Sequence, residues 1–198
     1  ENRKNKIVNR TSSTNIGLAM VTVISAYDMG FENIYDSVKL LQNMIDTVTK
    51  LEKWNGHLYN WYDIKTLAPL EPRYVSTVDS GNFVGYLYVV KQFLTEHKRL
   101  YENVEDYIAI INKLIEQTDF SLLYDNSSRL FSIGFDITEN KLTDSYYDLL
   151  ASEARQASFI AISKKDVPVK HWSSLNRTLT AMDGYKGLIS WSGTAFEY

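Results

Sequence analysis

The chain has 198 residues, of which 44% are hydrophobic, 23% charged and 13% aromatic, and its formal net charge is −3. This many apolar and aromatic side chains favours collapse into a core, which argues against an intrinsically disordered protein. The slightly negative charge argues against a nucleic-acid partner, because basic surfaces that neutralise phosphates hold such partners.

The types of residue present exclude several other classes of site. The chain has no cysteine, so disulfides, thiolate metal sites and cysteine nucleophiles are excluded. His57, His97 and His171 lie too far apart in the sequence to show a metal-ligand spacing, so we expect no metal and no cofactor. No apolar stretch approaches the ~20 residues of a membrane-spanning helix. The polar segment 1–10 is interpreted as a leader or linker, since it lacks the apolar core of a signal peptide.

Five segments carry apolar residues at the three- and four-residue spacing of amphipathic helices. They are 16–27, 34–48, 83–94, 104–115 and 145–163. Hydroxyl side chains at 11–14 are placed to cap the first helix, and Gly30 is placed to end it. Asp79 or Ser80 is placed to cap the third helix. Small residues in the fifth segment predict close packing against another helix: Ala151, Ala154, Ala157 and Ala161.

Strands and loops are predicted between these helices. The segments 122–124 and 130–135 predict one hairpin, and 178–182 and 185–191 predict a second around Asp183-Gly184, a pair typical of type I′ turns. The segment 54–78 predicts a long loop, and ordered loops of this length often form functional sites. Residues 192–194 predict the start of a helix just before the last residue, so we interpret the sequence as a piece of a longer protein.

Helical hairpins with small β-hairpin insertions predict a mainly α fold, and specifically part of an (α/α)6 toroid. Five or six helices supply about half of the helices in such a toroid. No repeat of about 34 or 40 residues is visible, which gives little support to a tetratricopeptide or armadillo array.

The densest group of ring-bearing and polar side chains lies at 56–63. Within eight residues the segment holds His57, Tyr59, Asn60, Trp61, Tyr62 and Asp63. Aromatic rings can pack on the apolar faces of sugars while amides and carboxylates hold their hydroxyls, so this group suits a carbohydrate site. An aromatic loop packed into the core explains the same composition, and both interpretations stay open.

Two further segments hold candidate carboxylates. Asp79 and Asn82 could face a ligand at a helix N-terminus, with Gly81 allowing close approach of the backbone, or Asp79 could act only as a helix cap. Glu153 is expected on an apolar helix face, where a carboxylate should be paired, metal-bound or catalytic; an ion pair with an arginine is the structural alternative. Glu197 is expected in a first helical turn, where the helix dipole stabilises negative charge.

Five long motifs carry a resemblance to a known family. They are TSSTNIGLA (11–19), GHLYNWYD (56–63), PRYVSTVDSGN (72–82), SYYDLLASEAR (145–155) and LISWSGTAFEY (188–198). In the same order, they resemble the middle, glycoamylase-like region of the cyclic β-1,2-glucan synthases, which are large bacterial membrane enzymes. The segment before Thr11 carries none of this resemblance.

The resemblance implies that 11–198 is the N-terminal part of a toroid domain that cyclises β-1,2-glucan by retaining transglycosylation. It implies that an essential glutamate pair lies largely beyond Tyr198, so this chain alone is expected to be inactive. Together with the reasoning above, it makes Glu153, Asp79 and Glu197 the candidate catalytic residues. The candidate substrate-binding residues are Trp61, Tyr62, Asp63, Asp79, Asn82, Arg155 and Trp191.

The resemblance also implies the partners: a β-1,2-glucan chain, the remaining helices of the same domain, and other domains of a longer synthase. That synthase is expected on the cytoplasmic side of the bacterial inner membrane, with this piece of it soluble. Apolar helix faces left exposed by half a toroid predict self-association. Two alternatives stay open: a non-catalytic carbohydrate-binding or scaffolding half-barrel, and a helical module for protein interaction.

Overall fold

Six α-helices and fourteen short strands make up the computed structural model, which describes residues 2–3 and 6–198, with side chains for 8–181 and 183–198. The helices are α1 (Ser13–Asp28), α2 (Ile34–Lys50), α3 (Thr77–His97), α4 (Val104–Gln117), α5 (Arg155–Lys164) and α6 (Lys170–Ser174). Two 3₁₀ turns occupy Lys98–Leu100 and Phe120–Leu123. The first four predicted helices are confirmed, whereas the sequence pattern does not predict α6.

The helices form two rows. α3 lies between α1 and α5, while α2 and α4 pack against each other and against α1 and α3 respectively. The side chains of α2 explain why this helix packs through one face only. Val38, Leu41, Ile45 and Val48 form a single buried stripe, and the rest of the helix is largely exposed. α3 is buried on most of its surface, as expected for a helix with neighbours on several sides.

The strands form six small antiparallel sheets along the same chain. The pairs are β1 (Asn2–Arg3) with β2 (Lys6–Ile7), β3 (Arg10–Thr11) with β6 (Tyr62–Asp63), β4 (Lys53–Trp54) with β5 (His57–Leu58), and β13 (Leu179–Met182) with β14 (Tyr185–Leu188). The three-stranded sheets are β7 (Tyr74–Ser76), β10 (Gly134–Asp136) and β11 (Lys141–Leu142), and β8 (Tyr124–Asp125), β9 (Leu130–Ser132) and β12 (Tyr146–Tyr147).

Both predicted hairpins are present, but the first is shorter than predicted, because residues 122–123 lie in a 3₁₀ turn and residues 134–135 belong to β10 of another sheet. β8 pairs with β9, and β13 pairs with β14 around a turn in which Asp183 and Gly184 have φ values of 51° and 82°. Two positive φ values in succession are the requirement of a type I′ turn. The predicted loop at 54–78 contains β4, β5, β6 and β7, so it is pinned at several points rather than free over its length.

The fifth helix is shorter than predicted. It begins at Arg155 instead of Ser145, because Tyr146–Tyr147 pairs with β9, and Leu149 and Ala151 form isolated bridges to Asn176 and Ser190. These long-range pairings override a locally helical sequence. Glu153 therefore does not share a helix face with Tyr146, and the argument for its burial on an apolar stripe is wrong.

Two more local predictions are corrected. The N-cap of α3 is Ser76, whose hydroxyl accepts the N–H of Asp79, so Asp79 and Ser80 are not the cap. Residues 192–194 do not start a helix but enter a turn closed by the side chain of Glu197. Within the described residues, each helix is too short or too polar to cross a bilayer.

Candidate functional site

A two-lobed cleft opens at the N-terminal ends of α1 and α3. The first lobe, the Trp61 lobe, measures about 490 Å³ and is lined by Ser12, Thr14, Asn15, Asn60, Trp61, Val78, Asp79, Asn82, Glu153 and Phe196. The second, the Trp172 lobe, measures about 370 Å³ and is lined by Asn82, Ser152, Glu153, Arg155, Gln156, Phe159, Trp172 and Phe196. Asn82, Glu153 and Phe196 line both lobes, so the two lobes lie side by side and share these three residues.

Asp79 lies in the first turn of α3 and is fixed from two sides. Its Oδ1 accepts the backbone N–H of Thr14 (3.3 Å), in the first turn of α1. When the Asn60 amide takes the orientation that satisfies its neighbours, its nitrogen donates to Asp79 Oδ2 (3.3 Å) and its oxygen accepts the Trp61 indole N–H (3.2 Å). Two helix N-termini meet at this carboxylate, and both favour its negative charge.

Asn82 lies one turn further along α3 and is buried. Its Nδ2 donates to Thr14 Oγ1 (3.2 Å), so Thr14 holds Asp79 through its backbone and Asn82 through its side chain. This explains why a segment that the sequence marks only as a capping cluster contributes to the site. Thr14 is a site residue that sequence reasoning missed, because its role depends on the packing of α1 against α3.

Glu153 occupies the turn that leads into α5 and is half-buried. Among the residues with described side chains, none forms a hydrogen bond or ion pair with its carboxylate, so the predicted pairing with an arginine is not found there. The phenol of Tyr147 interacts electrostatically with both carboxylates of the cleft, Glu153 and Asp79. Burial is the main cause that raises the pKa of Tyr147 well above its usual range. Smaller contributions come from the charge of Glu153, from the neighbouring Tyr74 and from the charge of Asp79, so the phenol stays protonated at neutral pH.

Trp61 presents its indole to the larger lobe. The Arg10 guanidinium lies 4.0 Å from the centre of the ring, a cation–π arrangement that covers one face. At the other lobe, Arg155 donates from Nη2 to the backbone oxygen of Tyr198 (2.8 Å). Three aromatic residues of the cleft lie outside the predicted site: Phe159, Trp172 and Phe196. Of these, only Phe196 belongs to one of the five motifs.

The other predicted binding residues lie outside the lining of the cleft. Tyr62 is completely buried, and its hydroxyl donates to the backbone oxygen of Glu52 (2.6 Å) and accepts the N–H of Tyr59 (2.9 Å). Burial raises its pKa well above the usual range. Asp63 accepts the N–H groups of Lys65 and Thr66 (both 2.8 Å), which lower its pKa.

Trp191 and Glu197 meet in the last turn of the chain, also outside the lining of the cleft. Trp191 is 62% exposed, whereas Glu197 is 3% exposed. The carboxylate of Glu197 accepts the backbone N–H groups of Trp191, Ser192 and Thr194. The structure thus brings together Trp61, Asp79, Asn82, Glu153 and Arg155, and it places Tyr62, Asp63, Trp191 and Glu197 elsewhere.

Two buried histidines serve as cross-links within the core. His57 Nε2 lies 2.9 Å from the backbone oxygen of Asp119, and Nδ1 lies 2.9 Å from Ser80 Oγ; because a carbonyl only accepts, Nε2 carries the proton. His171 makes the same kind of pair with the Arg129 oxygen and Ser158. The described side chains include no cluster of three or more His, Asp and Glu residues suited to a metal ion.

Comparison with known proteins gives the cleft a context. No family model matches the sequence. The chain is 26% identical to the cyclic beta-(1,2)-glucan synthase NdvB of Rhizobium meliloti, in an alignment that covers 97% of this chain and 11% of that protein. The resemblance to the cyclic β-1,2-glucan synthases is confirmed. The alignment runs over 314 positions, so the synthase has additional residues inside the aligned region.

Solved structures show the same fold. An endo-beta-1,2-glucanase from Chitinophaga pinensis, in complex with sophorotriose and glucose, aligns with a TM-score of 0.81 at 14% identity over 98% of this chain and 48% of the glucanase. A beta-1,2-glucanase from Parabacteroides distasonis aligns with a TM-score of 0.71 at 12% identity over 85% of this chain and 25% of that protein. The fold is mainly α, part of an (α/α)6 toroid with small β-hairpin insertions. The chain spans about half of the Chitinophaga enzyme and a ninth of the synthase.

Proposed function

We propose that this chain belongs to a carbohydrate-active domain that binds β-1,2-glucan and contributes to its retaining transglycosylation and cyclisation within a larger membrane-bound synthase. One observation carries the proposal: the cleft gathers two indoles, two carboxylates, four amides and a guanidinium from segments far apart in the sequence. Rings that pack on sugar faces and polar groups that bind hydroxyls are what a glucan requires. Similarity to a glucan synthase and the fold shared with β-1,2-glucanases support the choice of linkage.

The two carboxylates of the cleft suit different tasks. Asp79 is held by the Thr14 N–H and the Asn60 amide, so it can orient a sugar hydroxyl at a fixed position. Glu153 makes no hydrogen bond to the described side chains and faces both lobes, so it can exchange a proton with a glycosidic oxygen that lies between them.

Cyclisation with retention makes a specific demand on such a site. A carboxylate displaces the leaving hydroxyl, which takes a proton from an acid, and a covalent glycosyl-enzyme forms. The distal hydroxyl of the same glucan must then attack in place of water and lose its proton to that acid's conjugate base. Trp61 and the apolar rings of the cleft would hold the glucan and exclude water, which favours this outcome.

The first experiment is calorimetric titration of the chain with linear β-1,2-gluco-oligosaccharides, with β-1,4-linked oligosaccharides as the control. We expect selective binding of the β-1,2-linked series, and loss of binding in Asp79→Asn. Glu116→Gln, an exposed carboxylate on α4, is the matched control and should bind as the unaltered chain does. A folded chain that binds neither series, or binds both equally, would overturn the proposal.

Activity is tested in the complete polypeptide that contains this chain. We expect Glu153→Gln to abolish cyclic glucan formation while Glu116→Gln retains it, and the anomeric configuration of early products to be retained by NMR. If Glu153→Gln cyclised glucan normally, this piece would instead be a half-barrel that binds carbohydrate without catalysing the reaction.

Membrane fractionation and protease protection of the same polypeptide test its predicted place on the cytoplasmic side of the inner membrane.

Exposed apolar side chains support two further proposals: the remaining helices of the same domain cover them in the longer protein, and the isolated chain self-associates through them. Phe31 and Val169, which do not line the cleft, are 79% and 71% exposed, which is unusual for side chains of this size. Light scattering should show the isolated chain associating through such surfaces. A stable, monodisperse monomer would count against self-association without affecting the proposal for the cleft.

A further inference from the structure

Phe196 lies at the junction between the two lobes of the cleft. Its side chain lines both the Trp61 lobe and the Trp172 lobe, in company with Asn82 and Glu153. The residue is 50% exposed, so core packing does not account for its position. An exposed ring next to a buried amide and a carboxylate is the combination expected where a sugar ring is held.

The chain on both sides of Phe196 is fixed to the body of the protein. On one side, Arg155 Nη2 donates to the backbone oxygen of Tyr198 (2.8 Å), and the Tyr198 hydroxyl donates to the backbone oxygen of Leu188 (2.6 Å). On the other side, residues 191–197 form a closed turn. The ring is therefore presented to the cleft by a segment with few ways to move.

The carboxylate of Glu197 closes that turn. Its Oε1 accepts the N–H groups of Trp191 and Ser192 (both 3.2 Å), and its Oε2 accepts the N–H groups of Ser192 (3.1 Å) and Thr194 (3.0 Å). The hydroxyls of Ser192 (2.8 Å) and Thr194 (3.4 Å) donate to Oε2 as well. A buried carboxylate with this many donors is an internal anchor, because breaking the contacts would leave a charge buried without partners.

The protonation state of Glu197 agrees with that role. Burial alone would raise its pKa, but the hydroxyl and N–H of Ser192, the N–H of Thr194 and the hydroxyl of Ser190 hold the pKa at about 2. The side chain is thus ionised at neutral pH, with its oxygens occupied. It has no proton to give to a leaving group and little freedom to attack a sugar carbon.

We propose that Phe196 is the surface on which a glucose unit of the glucan packs as the chain passes from one lobe to the other, and that Glu197 is a positioning residue that sets this ring in place. The inference rests on the proposed function of the cleft. It moves Glu197 from the candidate catalytic residues to a structural role that acts through its neighbour, and it adds Phe196 to the binding residues.

Binding measurements test the role of Phe196. By calorimetry with linear β-1,2-gluco-oligosaccharides, Phe196→Ala should lose affinity about tenfold, the effect of removing one stacked aromatic contact. Phe196→Tyr should recover most of this loss because it restores the ring. Phe31→Ala removes an exposed phenylalanine beyond the other end of α1 and is the matched control, with unchanged affinity expected.

A double-mutant cycle tests the role of Glu197. Glu197→Gln keeps the shape of the side chain but places an amide among N–H donors, so the turn should loosen and affinity should fall. If Glu197 acts only through Phe196, the double variant of Phe196→Ala and Glu197→Gln should bind no more weakly than Phe196→Ala alone. Hydrogen exchange provides an independent readout: the amides of Trp191, Ser192 and Thr194 should lose protection in Glu197→Gln and keep it in Phe196→Ala.

The outcomes separate this inference from the function on which it rests. If Phe196→Ala binds normally while Asp79→Asn loses binding, the inference is overturned and the function of the cleft stands. If Glu197→Gln weakens binding further in the Phe196→Ala background, the positioning role is overturned. If the unaltered chain binds no β-1,2-gluco-oligosaccharide, the proposed function fails and the inference fails with it.

Discussion

Gly81 of α3 packs directly on Ala157 of α5. A Cβ added at position 81 would overlap both the Cα and the Cβ of Ala157, so the two helices approach as closely as their backbones allow. This contact brings the start of α3, with Asp79 and Asn82, beside the turn that carries Glu153. Gly81 therefore serves the cleft by letting two helices meet, and not, as the sequence suggested, by letting a ligand approach.

Gly81→Ala should destabilise the protein by about 2 kcal/mol. Alanine is the better helix former by up to about 1 kcal/mol, but overpacking against a backbone that cannot yield costs about 1–3 kcal/mol or more. Urea unfolding followed by circular dichroism measures the difference. Sugar affinity should fall as well, since any shift of α3 relative to α5 separates Asp79 from Glu153.

Two other glycines provide the controls for Gly81→Ala. Gly187 has open space around the position of an added Cβ, so Gly187→Ala should change stability by less than about 0.5 kcal/mol. At Gly85 the added Cβ meets the end of the flexible Gln156 side chain, so Gly85→Ala should cost less than Gly81→Ala. Equal losses at all three positions would mean that the close approach of α3 and α5 is not the cause.

The buried histidines predict that stability falls in mild acid. Burial lowers the pKa of His57 from 6.5 to about 4, and burial lowers the pKa of His171 in the same direction. Between these two values the unfolded chain binds a proton that the folded His57 does not, so the free energy of unfolding falls as the pH falls from 6.5 towards 4. His57 alone should account for about 3 kcal/mol over this range, with little change above pH 7.

NMR titration and urea unfolding at pH 7.5, 6.0 and 5.0 test this prediction together. The imidazole of His57 should stay neutral down to about pH 4, and the free energy of unfolding should decline as the pH is lowered. Replacing His57 by Gln removes the titrating group and should flatten the decline. An equally steep decline in His57→Gln would assign the acid sensitivity to other groups.

Local sequence signals predicted most of the helical part of the fold. In α1 and α2, apolar periodicity and cap residues agree with the tertiary structure, and Ser12 caps α1 as expected. The segment 145–154 differs because its strand and bridges pair with residues 131–132, 176 and 190, which no local pattern reveals. Backbone pairing with distant parts of the chain therefore outweighs the local helix propensity of this segment.

The residues of the candidate site that lie in sequence motifs were predicted, whereas those whose roles depend on long-range contacts were not. Motif by motif, the sequence marked Trp61, Asp79, Asn82, Glu153 and Arg155, and these residues line the cleft. Trp61 and Tyr62 are neighbours in the same motif, but consecutive side chains in extended backbone point in opposite directions, so one lines the cleft and the other fills the core. Thr14 and Phe196 could not be assigned, because their roles come from contacts across the fold.

Removal of the α3 cap should affect both stability and binding. Ser76 Oγ accepts the N–H of Asp79 at 3.2 Å, so Ser76→Ala leaves a helix N–H without its partner and should cost about 1 kcal/mol. Because that N–H belongs to Asp79, the carboxylate becomes less well fixed and sugar affinity should fall too. Ser163→Ala, at an exposed serine of α5, is the matched control for both measurements. A stability loss with unchanged affinity would mean that Thr14 and Asn60 suffice to hold Asp79.

The two candidate tryptophans should behave differently in glucan binding. Trp61 lines the cleft with one face under Arg10, so Trp61→Ala removes a platform and should weaken binding of β-1,2-gluco-oligosaccharides about tenfold. Trp61→Phe keeps a ring but loses the indole N–H to Asn60, and an intermediate loss is expected. Trp191 does not line the cleft, so Trp191→Ala should bind as the unaltered chain does, and it serves as the matched control. Stronger weakening by Trp191→Ala than by Trp61→Ala would move the sugar site from the cleft to the last turn of the chain.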